Sequence, residues 1–280
     1  MLLGSIGVIS LVIAAAVCCF GSFPALLWIG PLTFAGSFLA LMVLAFLFLW
    51  LVTAFVDLKK PQEHDSKFYR TLVALYVPAI CTILRMRVHT RGLEKTPTDG
   101  RFMLVCNHLF DFDPVVLLGW FGKSQLAFIS KWENSAMFIV GKVMHKLLCQ
   151  LINRENDREA LKTILRCIQL LKEDECSIAV FPEGYTSVDG RLHHFRPGVF
   201  KIAMKAQVPI VVCTIQGTNR VFSGLDPFTL SSVHLGARVD LHLVDVLSPE
   251  SYRGKTAVEI GEQVFNIMLQ DLGPAYAPAE

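Results

Sequence analysis

Phe102-Met-Leu-Val-Cys106, followed by Asn107-His-Leu-Phe-Asp-Phe-Asp113 and Pro114, is the stretch that decides how this chain is built. Its first five residues are all apolar and read as a buried strand. Asp113-Pro114 reads as a helix start, an N-cap followed by proline at the first helical position. Strand, short loop and helix in succession are the building unit of an α/β domain. The loop also carries His108 and Asp113. Residues five apart point to opposite faces of a strand and lie about 140° apart around a helix, so the two side chains meet only if the chain turns between them. A carboxylate on one ring nitrogen would fix the tautomer and stabilise the imidazolium, making His108 a base. The spacing alone equally fits a capping aspartate beside an ordinary loop histidine, which is the commoner use of an aspartate before proline.

Downstream, apolar patterns of strand and helix alternate. A strand is expected over 85–91, where Met86, Val88 and Thr90 alternate, and another over 126–130. A helix is expected over 135–148, then a short strand at Leu151 and Ile152. Leu161, Ile164, Leu165, Ile168 and Leu171 recur with helical period. Further strands are expected at 177–181, at 209–215 and around Val239, Leu241 and Leu243, with helices over 198–206 and 258–269. The alternation predicts a mostly parallel sheet covered by helices.

The N-terminal part is different. The 280-residue chain is 53% hydrophobic with a mean hydropathy of +0.49, and no Asp, Glu, Lys, Arg or His occurs between Met1 and Val56. Segments 2–20 and 32–56 are each long enough to cross a hydrocarbon core of ~30 Å as helices. Gly21-Ser-Phe-Pro24 and Gly30-Pro31 are expected to turn the chain between them, as an anchoring hairpin that either spans the bilayer or re-enters one leaflet. Cations begin with Lys59, Lys60, Lys67 and Arg70, the bias of a cytoplasmic flank. A secretory signal would want a basic start, which this chain lacks. The expected organisation is a membrane anchor over 1–58, a kinked interfacial helix and linker over 59–84, and an α/β domain over 85–280 on the cytoplasmic face of the cell membrane. The eight cysteines include no C-x-x-C pair, so zinc and disulfide frameworks are not expected.

A second constellation follows the strand at 177–181. Pro182-Glu183-Gly184 puts a carboxylate on a loop at a strand's end, where α/β proteins build their sites, and Arg191, Arg196 and Lys201 come next as cations fit for a phosphate. Read together, Asn-His-x4-Asp at 107–113, Phe-Pro-Glu-Gly at 181–184 and Val-Pro-Ile-Val at 208–211 resemble motifs of the glycerolipid acyltransferases. Lys131-Trp-Glu133 and Asn153-Arg154 resemble that family's intermediate block. The 1-acylglycerol-3-phosphate acyltransferases are its best-known members, and the likeness covers roughly residues 85–220 in the family's order. Its members are also often anchored by an N-terminal hairpin.

The resemblance implies an enzyme that makes phosphatidic acid from lysophosphatidic acid in phospholipid biosynthesis, with acyl-CoA or acyl-carrier protein as co-substrate and no cofactor or metal. His108, oriented by Asp113, would deprotonate the acceptor's hydroxyl, which attacks the donor thioester directly. Glu183 and Gly184 would lie beside the glycerol, and Lys131 and Arg154 would hold the phosphate. Where the family usually has Phe-Pro-Glu-Gly-Thr-Arg-Ser, this chain has Tyr185, Thr186 and Ser187 in the last three places. Either Arg191, Arg196 or Lys201 replaces the missing arginine, or the acceptor is another lysophospholipid or lyso-aminolipid. Asn153 stands where the family often has Asp. Other readings use the same residues: Asp111 as partner of His108, Cys106 as a thiol nucleophile, His193 and His194 as metal ligands, a metal-dependent phosphohydrolase built on His108, Asp111 and Asp113, or a lipid-binding protein without catalysis. No nucleic-acid partner is expected.

Overall fold

The structure is a computed structural model that describes residues 1–20, 26–153, 156–187, 189–221 and 235–278. It divides into two compact units, Met1–Lys60 and Pro61–Glu280.

The first unit is a pair of packed helices, α1 (Leu2–Cys18) and α2 (Leu26–Ala54). They approach closely at Gly30, where a Cβ would stand 3.2 Å from Cys18 Sγ. The 28 residues Leu27–Ala54 have a mean hydropathy of 2.5. At 1.5 Å per residue they extend about 42 Å, more than a hydrocarbon core of ~30 Å requires. The expected turn at 21–24 lies outside the described residues. The expected turn at Gly30-Pro31 is not one, because Pro31 is inside α2. A proline this near the start removes one backbone bond, back to Leu27, and the apolar run beyond it has no reason to stop.

The second unit begins with α3 (Lys67–Ile83), which contains Pro78 and buries Tyr69, Leu72 and Val77. Arg70, read from sequence as part of a cationic flank, is instead drawn inward. Its guanidinium pairs with Asp65 at 2.8 Å and donates to the carbonyls of Leu126 and Leu147. The remaining order is β1 (Arg87–Arg91), β2 (Met103–Cys106), α4 (Asp113–Trp120), β3 (Leu126–Lys131), α5 (Val140–Lys146), β4 (Gln150–Ile152), α6 (Asp157–Lys172), β5 (Ser177–Val180), α7 (Lys201–Ala206), β6 (Ile210–Gln216), β7 (Arg238–Leu247) and α8 (Ala257–Leu272).

The seven strands form one sheet in the order β1-β7-β6-β2-β5-β3-β4. Strands β2 to β6 are parallel, whereas β7 runs antiparallel to β6 and carries β1 parallel to itself. Both faces are covered, which is why β2 is an unbroken apolar run. Met103 and Val105 face Leu170, Ile202 and Val264 of α6, α7 and α8, while Leu104 and Cys106 face Val116 and Leu117 of α4. The expected α/β architecture with a mostly parallel sheet is therefore present.

The helix expected over 135–148 is broken in two. A 3-10 turn covers Trp132–Ala136, the chain extends at Met137, and α5 starts at Val140. The break lets the turn fold back on α5 so closely that a Cβ on Gly141 would overlap the Ser135 carbonyl. Because β2, β3 and β5 are parallel, the loops that follow them emerge along one sheet edge, and every motif read from the sequence in those loops gathers there.

Candidate active site

Strand β2 is followed by Asn107, whose buried amide clips the loop to β6. Its Oδ1 accepts from the Ile215 N–H at 2.8 Å, and its Nδ2 donates to the Ile215 carbonyl at 3.0 Å. The next residue is His108. Asp113 Oδ2 lies 2.8 Å from His108 Nδ1 and accepts from the N–H groups of Leu109 at 2.7 Å and Phe110 at 2.9 Å. A carboxylate can only accept, so Nδ1 carries the ring proton and Nε2 keeps its lone pair. Asp113 is fully buried and His108 retains 12% side-chain exposure, so the imidazole is sheltered but reachable. The imidazole stacks on Phe181 with ring centres 4.1 Å apart, and Phe181 in turn stacks on Phe128 of β3.

Asp113 does not cap α4 as the sequence reading expected. It is the first helical residue, Phe112 occupies the cap position, and no side chain caps the helix. The first-turn N–H groups of Val115 and Val116 are taken by the Phe112 carbonyl, which leaves the carboxylate to collect donors from the loop behind it. Being at a helix N-terminus, it also lies where negative charge is favoured. Asp111 is not the partner of His108. Its Oδ1 accepts from the hydroxyl of Thr186, the residue standing in place of the family's arginine.

Glu183 ties the loops together. It is 1% exposed, and its two carboxylate oxygens accept from the backbone N–H groups of His108 at 2.8 Å and His193 at 3.1 Å. The Ser187 N–H donates to the His108 carbonyl, and the Arg196 N–H donates to that of Pro182. Burial pushes the Glu183 carboxyl up from 4.5 to about 7, against the two amide bonds that favour its charged form. In the unfolded chain the group ionises near 4.5, while the folded protein holds its proton until about 7. Its contribution to stability is thus complete below 4.5 and falls as pH rises through this window, by about 3 kcal/mol. Unfolding of the detergent-solubilised protein at a series of pH values should show that fall, and Glu183→Gln should flatten it. Parallel curves for the two proteins would place the titration elsewhere.

Glu183 and Gly184, expected beside the glycerol, are both buried, because the carboxylate serves backbone amides and Arg196 covers the glycine. Gly184 has a φ of +84°, and a Cβ there would be 2.8 Å from Arg196 Nε and 3.0 Å from its Cδ. Only glycine supplies both the conformation and the clearance. The group presented over this loop is the exposed Arg196. Arg191 is exposed on the same loop, which Asp189 closes by accepting from the Arg191 N–H, the Ser187 hydroxyl and His193 Nε2. Lys131 is exposed at the end of β3, on the same sheet edge, and Lys201 is exposed at the start of α7. Arg154 lies outside the described residues. Asn153 donates to Glu159.

The histidine pair, named above as possible metal ligands, is in an irregular segment. His193 turns toward Asp189 and Tyr185, while His194 stacks on Phe265. Among the described residues no three His, Cys, Asp or Glu side chains converge as metal ligands. Burial raises the Cys106 thiol well above its ordinary pKa, which disfavours the nucleophilic thiolate. Sequence reasoning gave no role to Asn107 or Phe181. A buried asparagine at a strand's end was a signal, since its amide must find partners. The stacking of Phe181 on His108 left none.

The family model of acyltransferases matches residues 87–216, which contain all of this machinery. This segment is similar to the acyltransferase family. The chain is 33% identical over 159 residues to the chloroplastic 1-acyl-sn-glycerol-3-phosphate acyltransferase of Arabidopsis thaliana, covering 56% of this chain and 44% of that protein. It is 29% identical over 163 residues to the probable 1-acyl-sn-glycerol-3-phosphate acyltransferase of Mycoplasma pneumoniae, covering 56% and 58%. The chain thus spans about half the length of the curated relatives it matches. The crystal structure of the 1-acyl-sn-glycerophosphate acyltransferase of Thermotoga maritima has the same fold, with a TM-score of 0.62 at 23% identity over 75% of this chain and 81% of that one. The His108–Asp113 loop and the Glu183 loop both lie inside the segment that matches the acyltransferase model.

Proposed function

We propose that this protein transfers an acyl group from a thioester to the free hydroxyl of lysophosphatidic acid, making phosphatidic acid. The observation that carries this reading is the 2.8 Å contact between His108 Nδ1 and Asp113 Oδ2, which leaves Nε2 as a sheltered base. Nε2 takes the proton of the acceptor hydroxyl as its oxygen attacks the thioester carbonyl. Collapse of the tetrahedral adduct breaks the C–S bond, and the thiolate leaves with the proton held by the imidazolium. No covalent acyl-enzyme is needed. Acceptor and product are bilayer lipids, so α1 and α2 serve as a membrane anchor, α3 lies at the interface and the catalytic domain sits on the cytoplasmic face. The donor is acyl-CoA or acyl-carrier protein.

Arg196 takes over from the arginine missing at position 186, since it is the cation laid over Gly184. Lys131, Arg154, Arg191 and Lys201 complete the cationic surroundings of the phosphate. A donor-by-acceptor assay in nanodiscs tests both points. Losing a charge-assisted contact costs about 1.5–3 kcal/mol, so Arg196→Ala should raise the acceptor KM by roughly 10-fold or more. Unchanged KM after single alanine substitutions at Arg191, Arg196 and Lys201 would overturn the phosphate assignment. The Thr186–Asp111 contact favours a second reading, a larger lysophospholipid headgroup, which would show as faster turnover of that acceptor than of lysophosphatidic acid.

A further inference from the structure

The segment that links β3 to α5 carries apolar side chains that the fold does not use. Trp132 is 64% exposed and Phe138 63%, and Met137 and Val140 are exposed beside them. They are presented by a built scaffold. Asn134 Nδ2 donates to Ser130 Oγ at 2.8 Å, the Ser135 hydroxyl donates to the Trp132 carbonyl at 2.7 Å, and the Gly141 N–H donates to the Met137 carbonyl at 2.9 Å. Cations border them: Lys131 is exposed, and Lys142 Nζ stands 5.8 Å from the centre of the Phe138 ring. The segment leaves β3 at the edge where β2 delivers His108, and the Phe128–Phe181–His108 stack connects the two strands.

We infer that Trp132, Met137, Phe138 and Val140 form a wedge by which the catalytic domain itself seats in the lipid headgroup region, independently of α1 and α2. Tryptophan and other large apolar side chains flanked by lysine are the composition of a membrane interface, where rings enter the acyl boundary and ammonium groups meet lipid phosphates. Removing these partly exposed apolar side chains from water favours this placement. A second copy of the chain fits less well. The four side chains offer on the order of 400 Å², about half of the ~800 Å² per partner of a stable protein interface. Placed there, the wedge turns the His108 edge of the sheet toward the layer in which a lysophospholipid hydroxyl resides.

The inference rests on the membrane placement proposed above and not on acyl transfer, so the test reads fluorescence rather than turnover. The full chain is reconstituted into nanodiscs of phosphatidylcholine and phosphatidylglycerol brominated in the upper part of their acyl chains. The Trp132 signal is taken as the difference between wild type and Trp132→Phe, and the Trp28 and Trp50 signals likewise with their own phenylalanine variants. Trp132 is expected to lose most of its emission to the brominated lipid and to resist aqueous acrylamide, and Phe138→Asp is expected to reverse both. If Trp132 is quenched by acrylamide but not by lipid while Trp28 and Trp50 are quenched by lipid, the wedge is wrong and the anchor stands. Shielding of Trp132 from both quenchers would mean a protein surface covers it, and absence of lipid quenching at all three positions would remove the membrane placement itself. Either result overturns the inference. Should Trp132→Phe lose its circular dichroism, Phe138→Trp serves as a second reporter at the same place.

Discussion

His108→Ala is expected to lower kcat for acyl transfer by about 10²–10⁴-fold, the usual worth of a positioned proton transfer. The fold should survive the change, and the reason lies in which atoms are lost. The alanine variant keeps the backbone N–H that Glu183 accepts, so the brace between loops remains. Asp113 Oδ2 keeps two of its three donors, the Leu109 and Phe110 N–H groups. What goes is the imidazole over Phe181 and, with it, the lone pair on Nε2. Acceptor KM should therefore change little while kcat falls. Circular dichroism, recovery in the membrane fraction and initial rates on nanodisc-borne acceptor check the three parts separately. Turnover within a few fold of wild type, in a correctly folded variant, would remove His108 from the mechanism.

Asp113 should show the other large effect, and here two variants are expected to part company. Asp113→Ala strips the acceptor from three donors at once, in a site with no exposure. Each buried donor left without a partner costs about 1–3 kcal/mol, so the variant should lose about 3 kcal/mol or more of stability along with its activity. Asp113→Asn keeps the volume and one accepting oxygen, and removes only the charge. Hydrogen bonds to a charged acceptor are roughly twice as strong as neutral ones. The imidazolium formed during transfer therefore loses about 1–2 kcal/mol, and kcat should fall by about 10-fold with a smaller loss of stability. Thermal unfolding and kcat measured on both variants give the comparison. Equal melting temperatures for the two would show that Asp113 does not hold the loop, and an alanine variant with near-normal kcat would show that it does not hold the base.

Much of this architecture was legible because it is repetitive along the chain. The unbroken run at 102–106 announces a strand buried on both faces, and Leu161, Ile164, Leu165, Ile168 and Leu171 mark the apolar side of α6, since burial imposes the period of the element on the residues. The N-terminal unit was legible by exclusion, because fifty-six residues without a single Asp, Glu, Lys, Arg or His have few other uses. Motif order was readable too, as the acyltransferase match over 87–216 shows. Strand direction was not. Val239, Leu241 and Leu243 alternate identically whichever way β7 runs, so its reversal against β6 left no mark in composition. The split of the expected 135–148 helix was equally hidden, because apolar residues that look like a helix face, Met137, Phe138 and Val140, are in fact outside the core.

By itself, then, the sequence determined the α/β class, the apolar N-terminal unit and the candidates for chemistry, since these depend on residue type and spacing. The tertiary structure alone decided what each candidate touches. Asp113 could have capped its helix, paired with His108 or done neither, and Asp111 was an alternative partner within the same loop. Thr186 holds Asp111 aside, Phe112 relieves Asp113 of the cap, and Glu183 draws the His108 amide toward the loop after β5. The physical reason is range. Apolar burial follows patterns spread over many residues, whereas a hydrogen bond to a carboxylate is made or lost within a few tenths of an ångström. Such distances between segments seventy or more residues apart are set by packing and by nothing in the spacing of the motif.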